Sequence, residues 1–249
     1  MKKVLIAALA TAFAAPAASY AATSNVDIYG RISATYNVLN TDTSVPAQDK
    51  TLYQVSSDNS YIGFKGNEDL GGGLKAIYQL EVGFNADNGN NNLAGSLGGG
   101  SLGGMRNTFV GLASSDFGTV LLGKHDTPYK MATGKLDVFG NEPGDYRDVI
   151  GNVAGASLFA QRPGNVIAYV TPNFSGFSVI AAYVAGNEIG NGATANADAW
   201  SVAGMYNNGP IYATVAYERH NNLVAGVDNR AWKAGVGYDF GPGKVGFIY

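Results

Sequence analysis

Tyr61 to Glu81 reads YIGFKGNEDLGGGLKAIYQLE, two runs of alternating side chains joined by the turn Asn-Glu-Asp-Leu-Gly-Gly-Gly. A period of two marks strands. In the first run Ile62 and Phe64 oppose Lys65; in the second Ala76, Tyr78, Leu80, Val82 and Phe84 oppose Lys75, Gln79 and Glu81. A soluble hairpin buries its apolar face and wets the other. The same alternation also fits a strand whose apolar face meets hydrocarbon while the charged face lines water.

The N-terminus selects between these environments. Met1, Lys2 and Lys3 precede an apolar run from Val4 to Ala15, and small residues follow through Ala22. This is the layout of a secretory signal peptide. Ser19 and Ala21 supply the small residues that a signal peptidase needs, so residues 1–21 are expected to leave and residues 22–249 to form the mature domain. The run is shorter than the roughly 20 residues of a transmembrane helix.

Of 16 basic residues, 14 remain without Lys2 and Lys3, against 19 acidic ones. An acidic chain gives no electrostatic reason to expect nucleic acid. With 0 cysteines, a disulfide framework and thiolate metal sites are excluded. Glycine, at 35 of 249 residues, is about twice its usual share and suits turns and strands.

Alternation recurs along the chain. In NVDIYGRISATYNV, Val26, Ile28, Gly30, Ile32, Ala34, Tyr36 and Val38 oppose Asp27, Tyr29, Arg31, Ser33, Thr35 and Asn37. Further strands are expected near 105–113, 118–125, 165–171, 176–184, 199–206, 211–219, 231–240 and 244–249. Tight turns (NEDLGGG, SSDFG, TPNFSG, NNGP, DFGPG) alternate with long polar connections at 40–58, 86–104, 126–164, 185–198 and 220–230.

Short turns at one end and long loops at the other describe an antiparallel, up-and-down, all-β transmembrane barrel of the outer-membrane type. Unpaired backbone is intolerable in lipid, so such strands must close into a ring. Tyr29, Tyr36, Tyr61, Tyr169, Tyr183, Tyr206, Tyr217 and Tyr238 lie near strand ends and are candidates for the interfacial girdle. A soluble sandwich or lipocalin-like barrel is the alternative, but its polar face is normally rich in Lys and Glu, and only 14% of this chain is charged.

Four blocks carry a family likeness: NVDIYG, SYIGFKGNEDLGGGLKAIYQLE, RNTFVGLASSDFGTVLLGKHDTPY and TPNFSGF. Together they resemble the Gram-negative general porins, above all the neisserial and β-proteobacterial type, closely from Val26 to Phe177 and loosely beyond. The resemblance implies a homotrimer of barrels of about sixteen strands in outer-membrane lipid, passing ions and small hydrophilic solutes by diffusion. It also implies that residues 126–163 fold into the lumen as a constriction loop, with Asp126, Asp137, Glu142, Asp145 and Asp148 as its acids. A basic wall would face them: Arg31, Lys65 and Lys75 by parity, Lys124 from its place before the loop, and Arg106, for which either parity fits. Opposed rows of charge would set a transverse field that sorts ions by sign. Relatives often carry an arginine where this chain has Ala168, which thins the wall.

About ten strands and the start of another are legible. The last, after DFGPG, is too short to cross an apolar band about 25 Å tall, so the sequence is expected to lack C-terminal strands of its barrel.

Other chemistries find less support. A hydrolase at the barrel rim would need His125 and Asp126 as base and orienting acid, but neighbours on a strand point to opposite faces. His220, in an expected loop beside Glu218, has no nucleophile at a telling spacing. GSLGGGSLGG at 95–104 lacks the Lys-Ser/Thr ending of a phosphate loop, and no Ca²⁺ loop pattern appears. No cofactor or metal is called for. A plugged barrel serving as an adhesin remains the alternative to a channel.

Overall fold

A computed structural model describes residues 25–41, 50–57, 59–87, 104–140, 145–146, 152–153, 156–157, 159–186, 197–224 and 227–249. Its strands are β1 (Asn25–Arg31), β2 (Ala34–Thr41), β3 (Lys50–Ser57), β4 (Tyr61–Gly71), β5 (Leu74–Gly83), β6 (Met105–Ser114) and β7 (Gly118–Lys124). A short helix α1 (Pro128–Thr133) follows, then β8 (Asn152–Val153), β9 (Ala156–Ser157), β10 (Val166–Val170), β11 (Phe177–Ala185) and β12 (Asp198–Asn208). The series ends with β13 (Ile211–Val224), β14 (Val227–Asp239) and β15 (Lys244–Ile248).

One 11-stranded antiparallel sheet runs β1-β4-β5-β6-β7-β10-β11-β12-β13-β14-β15, with β1 and β15 as its edges among the described residues. Apart from the β2–β3 hairpin inserted after β1 and the small β8–β9 pair, each strand pairs with its sequence neighbours. This is the up-and-down meander that alternating short and long connections demand. Gly71, Gly72 and Gly73 all adopt positive φ in the β4–β5 turn, a conformation that other residues enter at a cost.

Register divides the sheet into two faces. On one lie Ile28, Phe64, Leu80, Val110, Val120, Ile167, Tyr169, Trp200, Val202, Val215, Val236 and Phe247, exposed large hydrophobics in continuous succession across the strands. Across β11 to β14 its aromatics gather in two rows. Phe177 pairs with Tyr206 and Ile211 with Tyr238 near the tight turns; Tyr183 pairs with Trp200 and Tyr217 with Trp232 toward the long loops. The rows stand six positions apart on each strand, roughly 20 Å, with aliphatic and small residues between. Tyr29 and Tyr61, expected in the same girdle, sit on the other face, because each shares the register row of Glu81 or Arg31.

The second face is covered in part. Buried Leu121, Val166, Ala168, Ala182, Val184 and Ala199 pack on it across β7, β10, β11 and β12. Next to them Tyr129 and Ala132 of α1, with Phe159 and Ala160 from the end of the long connection, pack on Ala203 and Ala216. Segment 125–140 therefore lies against the face that carries the polar residues.

Besides the β8–β9 pair within 126–164, the expected loops 40–58 and 220–230 are partly strand. Residues 34–41 and 50–57 pair as β2–β3, and β13 and β14 continue to Val224 and from Val227. Polar side chains hid both from a hydropathy reading, although alternation persists: Tyr36, Val38, Tyr53 and Val55 share one exposed side of the hairpin.

Candidate functional site

The long connection after β7 leaves and returns as a paired stem. His125 N–H donates to Pro163 O at 3.2 Å and Thr127 N–H to Gln161 O at 3.1 Å. Thr127 then caps α1: its backbone is extended, its hydroxyl accepts from Lys130 N–H at 3.3 Å, and Pro128 occupies the first turn.

Asp126 ties this stem to the wall. Its Oδ1 lies 2.8 Å from Lys130 Nζ and 3.0 Å from Arg162 Nε; its Oδ2 accepts from Arg162 Nη2 and from Asn107 Nδ2, each at 3.1 Å. Burial pushes the Asp126 carboxyl up, but the Lys130 ammonium and Arg162 guanidinium outweigh this and hold it at about 2. Asp126 is thus an acid already matched by cations of its own loop.

Arg106 reaches the same place through a β-bulge. Leu80 pairs with Thr108 and Val82 with Met105, so Arg106 and Asn107 together oppose Glu81. The ambiguous parity of Arg106 in the sequence has this cause: the extra residue brings the Arg106 side chain and the Asn107 backbone N–H to one carboxylate, while the Asn107 side chain turns to Asp126. Arg106 Nε stands 3.5 Å from Glu81 Oε2, its Nη1 donates to Asn59 Oδ1 at 2.7 Å, and its guanidinium lies 4.6 Å from the Tyr61 ring centre. Glu81 also accepts from Tyr29 Oη at 2.9 Å and from Asn107 N–H at 3.3 Å.

Between stem, helix and wall lies a cleft of about 190 Å³ whose charged lining is Arg106, Lys130, Arg162, Asp126 and Asp137. Three cations face two carboxylates, one of them, Asp126, bridged by two of those cations.

The other expected wall residues fall at different distances from it. Register puts Arg31, Lys65 and Lys75 on the face of Glu81. Arg31 donates to Ser33 Oγ at 3.1 Å, and Lys65 Nζ lies 5.1 Å from the Tyr29 ring centre, one residue away from the Glu81 cluster. Lys75 pairs with Asp69 beside the Gly71–Gly73 turn, six positions along β5 from Glu81, roughly 20 Å away. Lys124 has the parity of Val120 and Leu122, and its Nζ donates to Arg162 O at 3.0 Å, buttressing the stem.

Of the expected loop acids, Asp137 lines the cleft and accepts Phe139 N–H at 3.0 Å, and Asp145 is buried. Glu142 and Asp148 lie outside the described residues, as does the segment 1–21.

Sequence reasoning did not single out Arg162, Lys130, Lys233 or Glu218. The last two were within reach: period two in 211–219 and 231–240 puts Glu218 and Lys233 on the polar face. Lys233 is buried, with Nζ 4.1 Å from the Tyr129 ring centre, 5.6 Å from that of Tyr146, and donating to Tyr146 Oη at 3.2 Å. Glu218 Oε1 lies 2.9 Å from His220 Nε2, and the His220 ring stacks on Phe159. His220 is therefore a strand residue fastening the loop's return, not a loop histidine. His125 turns Nδ1 to the backbone oxygen of Asp126 at 2.8 Å, away from the carboxylate.

Comparison with known proteins bears on this arrangement. The sequence profile of a family described as Gram-negative porin matches residues 5–249. An outer membrane porin protein of Bordetella pertussis is 31% identical over 100% of this chain and 69% of its own length. The major outer membrane protein P.IB of Neisseria gonorrhoeae is 35% identical over 87% of this chain. The chain spans only 56% of that relative. Among solved structures, an anion-selective porin from Comamonas acidovorans superposes with a TM-score of 0.72 at 27% identity, over 90% of this chain and 67% of its own.

Proposed function

Because this chain belongs to the Gram-negative porin family, we propose that it forms a general diffusion channel through the outer membrane, passing ions and small hydrophilic solutes down their gradients. The observation that carries this reading is the division of labour between the faces. The apolar face, with its two aromatic rows, suits lipid, and the opposite face carries the charged cleft and the segment folded onto it. No covalent step is involved, and the reading calls for no cofactor.

In this reading residues 1–21 direct export, residues 126–163 narrow the lumen, and homotrimers sit in outer-membrane lipid. Arg106, Arg31 and Lys65 supply the basic wall, with Lys75 toward its turn end, while Lys124, expected in that wall, buttresses the stem through Arg162 O instead. Asp137, Asp145, Glu142 and Asp148 provide the acidic side, while Asp126 holds the loop. Cations outnumber carboxylates in the cleft, which favours anions, the preference in the name of the Comamonas relative.

Planar-bilayer recording of the purified protein under a salt gradient tests this. Stepwise conductance with a reversal potential of anionic sign is expected. A barrel that inserts but passes no current would be the plugged adhesin instead. Turnover of an ester or glycoside abolished by changing His125 would point to a hydrolase.

A further inference from the structure

We propose that Leu136 is the positioning residue of the loop, seated in a notch of β14 and β15 whose floor is three glycines. The proposal rests on the reading of residues 126–163 as the element that narrows the channel, and it adds what fixes that element's place.

Gly237 pairs directly with Gly246, and Gly235 lies two positions along β14 on the same face. A Cβ on Gly235 would stand 2.4 Å from Leu136 Cδ1, one on Gly237 2.6 Å from Leu136 Cδ2, and one on Gly246 3.5 Å from the same atom. None of the three has the left-handed backbone that would itself ask for glycine. Glycine weakens a strand interior, and its usual reason for being there is the close approach of another group. Here the approaching group is one leucine side chain, and three glycines converge on it.

The chain leading to Leu136 is steered toward the notch. Its N–H donates to Thr133 O at 3.0 Å, folding the chain back after α1. Tyr212, across β13 from Gly237, donates its hydroxyl to Ala132 O at 2.5 Å, and Lys135 Nζ lies 5.4 Å from the Tyr212 ring centre. Tyr212 thus walls the notch while holding the end of α1. The fit is steric, so position, not charge, is what it transmits.

The test is a double-substitution cycle in the purified protein carrying a nitroxide at exposed Val138, read by spin-label mobility and by bilayer conductance. Gly237→Ala is expected to raise mobility and move the conductance level when Leu136 is present. With Leu136→Ala already in place, the same change should do much less. Equal effects on both backgrounds would overturn the proposal. Should Gly237→Ala fail to assemble, Leu136→Ala alone must raise mobility, and an unmoved nitroxide would likewise overturn it. If mobility rises while conductance stays unchanged, the seat stands and the channel-narrowing reading falls.

Discussion

Asp126 gathers partners from three parts of the chain: Asn107 on β6, Lys130 on α1 and Arg162 on the returning limb. Since its folded pKa is depressed from 3.8 to about 2, its contribution is fully present above the unfolded value and is lost as pH falls between them. Thermal stability of the purified protein should therefore drop as pH is lowered from about 4 to about 2, by an amount worth roughly 2 kcal/mol. Asp126→Asn should remove that part of the decline. Position along the strands separates the lysines. Lys65→Glu should move reversal potential toward cations more than Lys75→Glu, because Lys65 adjoins the Glu81 cluster and Lys75 the tight turn; equal shifts would put both outside the narrow zone. At this scale parity made Arg31, Lys65 and Lys75 legible, whereas a bulge blurred Arg106. Arg162, 36 positions from the carboxylate it grips and in a stretch without periodicity, left no signal.

α1 is six residues long and makes little helix on its own; packing holds it in place. Lys233 is the central fastening, buried beneath Tyr129 and Tyr146. Lys233→Met keeps the aliphatic stem and removes the ammonium, and it is expected to loosen the helix by about 2 kcal/mol. Faster cleavage of segment 128–140 by added protease would register the change; cleavage at the parental rate would mean that the apolar contacts of Tyr129 and Phe159 suffice. The strands were readable because their period survives in single residues. The helix was not, since six residues give less than two turns of pattern. The polar strand extension from His220 to Val224 was hidden by composition, although Glu218 and His220, two apart, show the same period on the inner face.

For the whole molecule, the class of fold followed from two coarse signals, period two and the alternation of short and long connections, and the 11-stranded meander bears both out. The contacts that place the loop across the sheet depend on side-chain shape, which hydropathy does not encode. The chain's 2 tryptophans, Trp200 and Trp232, sit in the aromatic row nearer the long loops and are largely exposed on the apolar face. In vesicles their fluorescence should be quenched strongly by brominated lipid and weakly by aqueous acrylamide; the reverse would turn the sheet inside out. The paired stem at 125–127 and 161–163 has a wider consequence. Because departure and return are clamped side by side, length can change in the part of the connection beyond α1 and Leu136 without moving the strands that flank it.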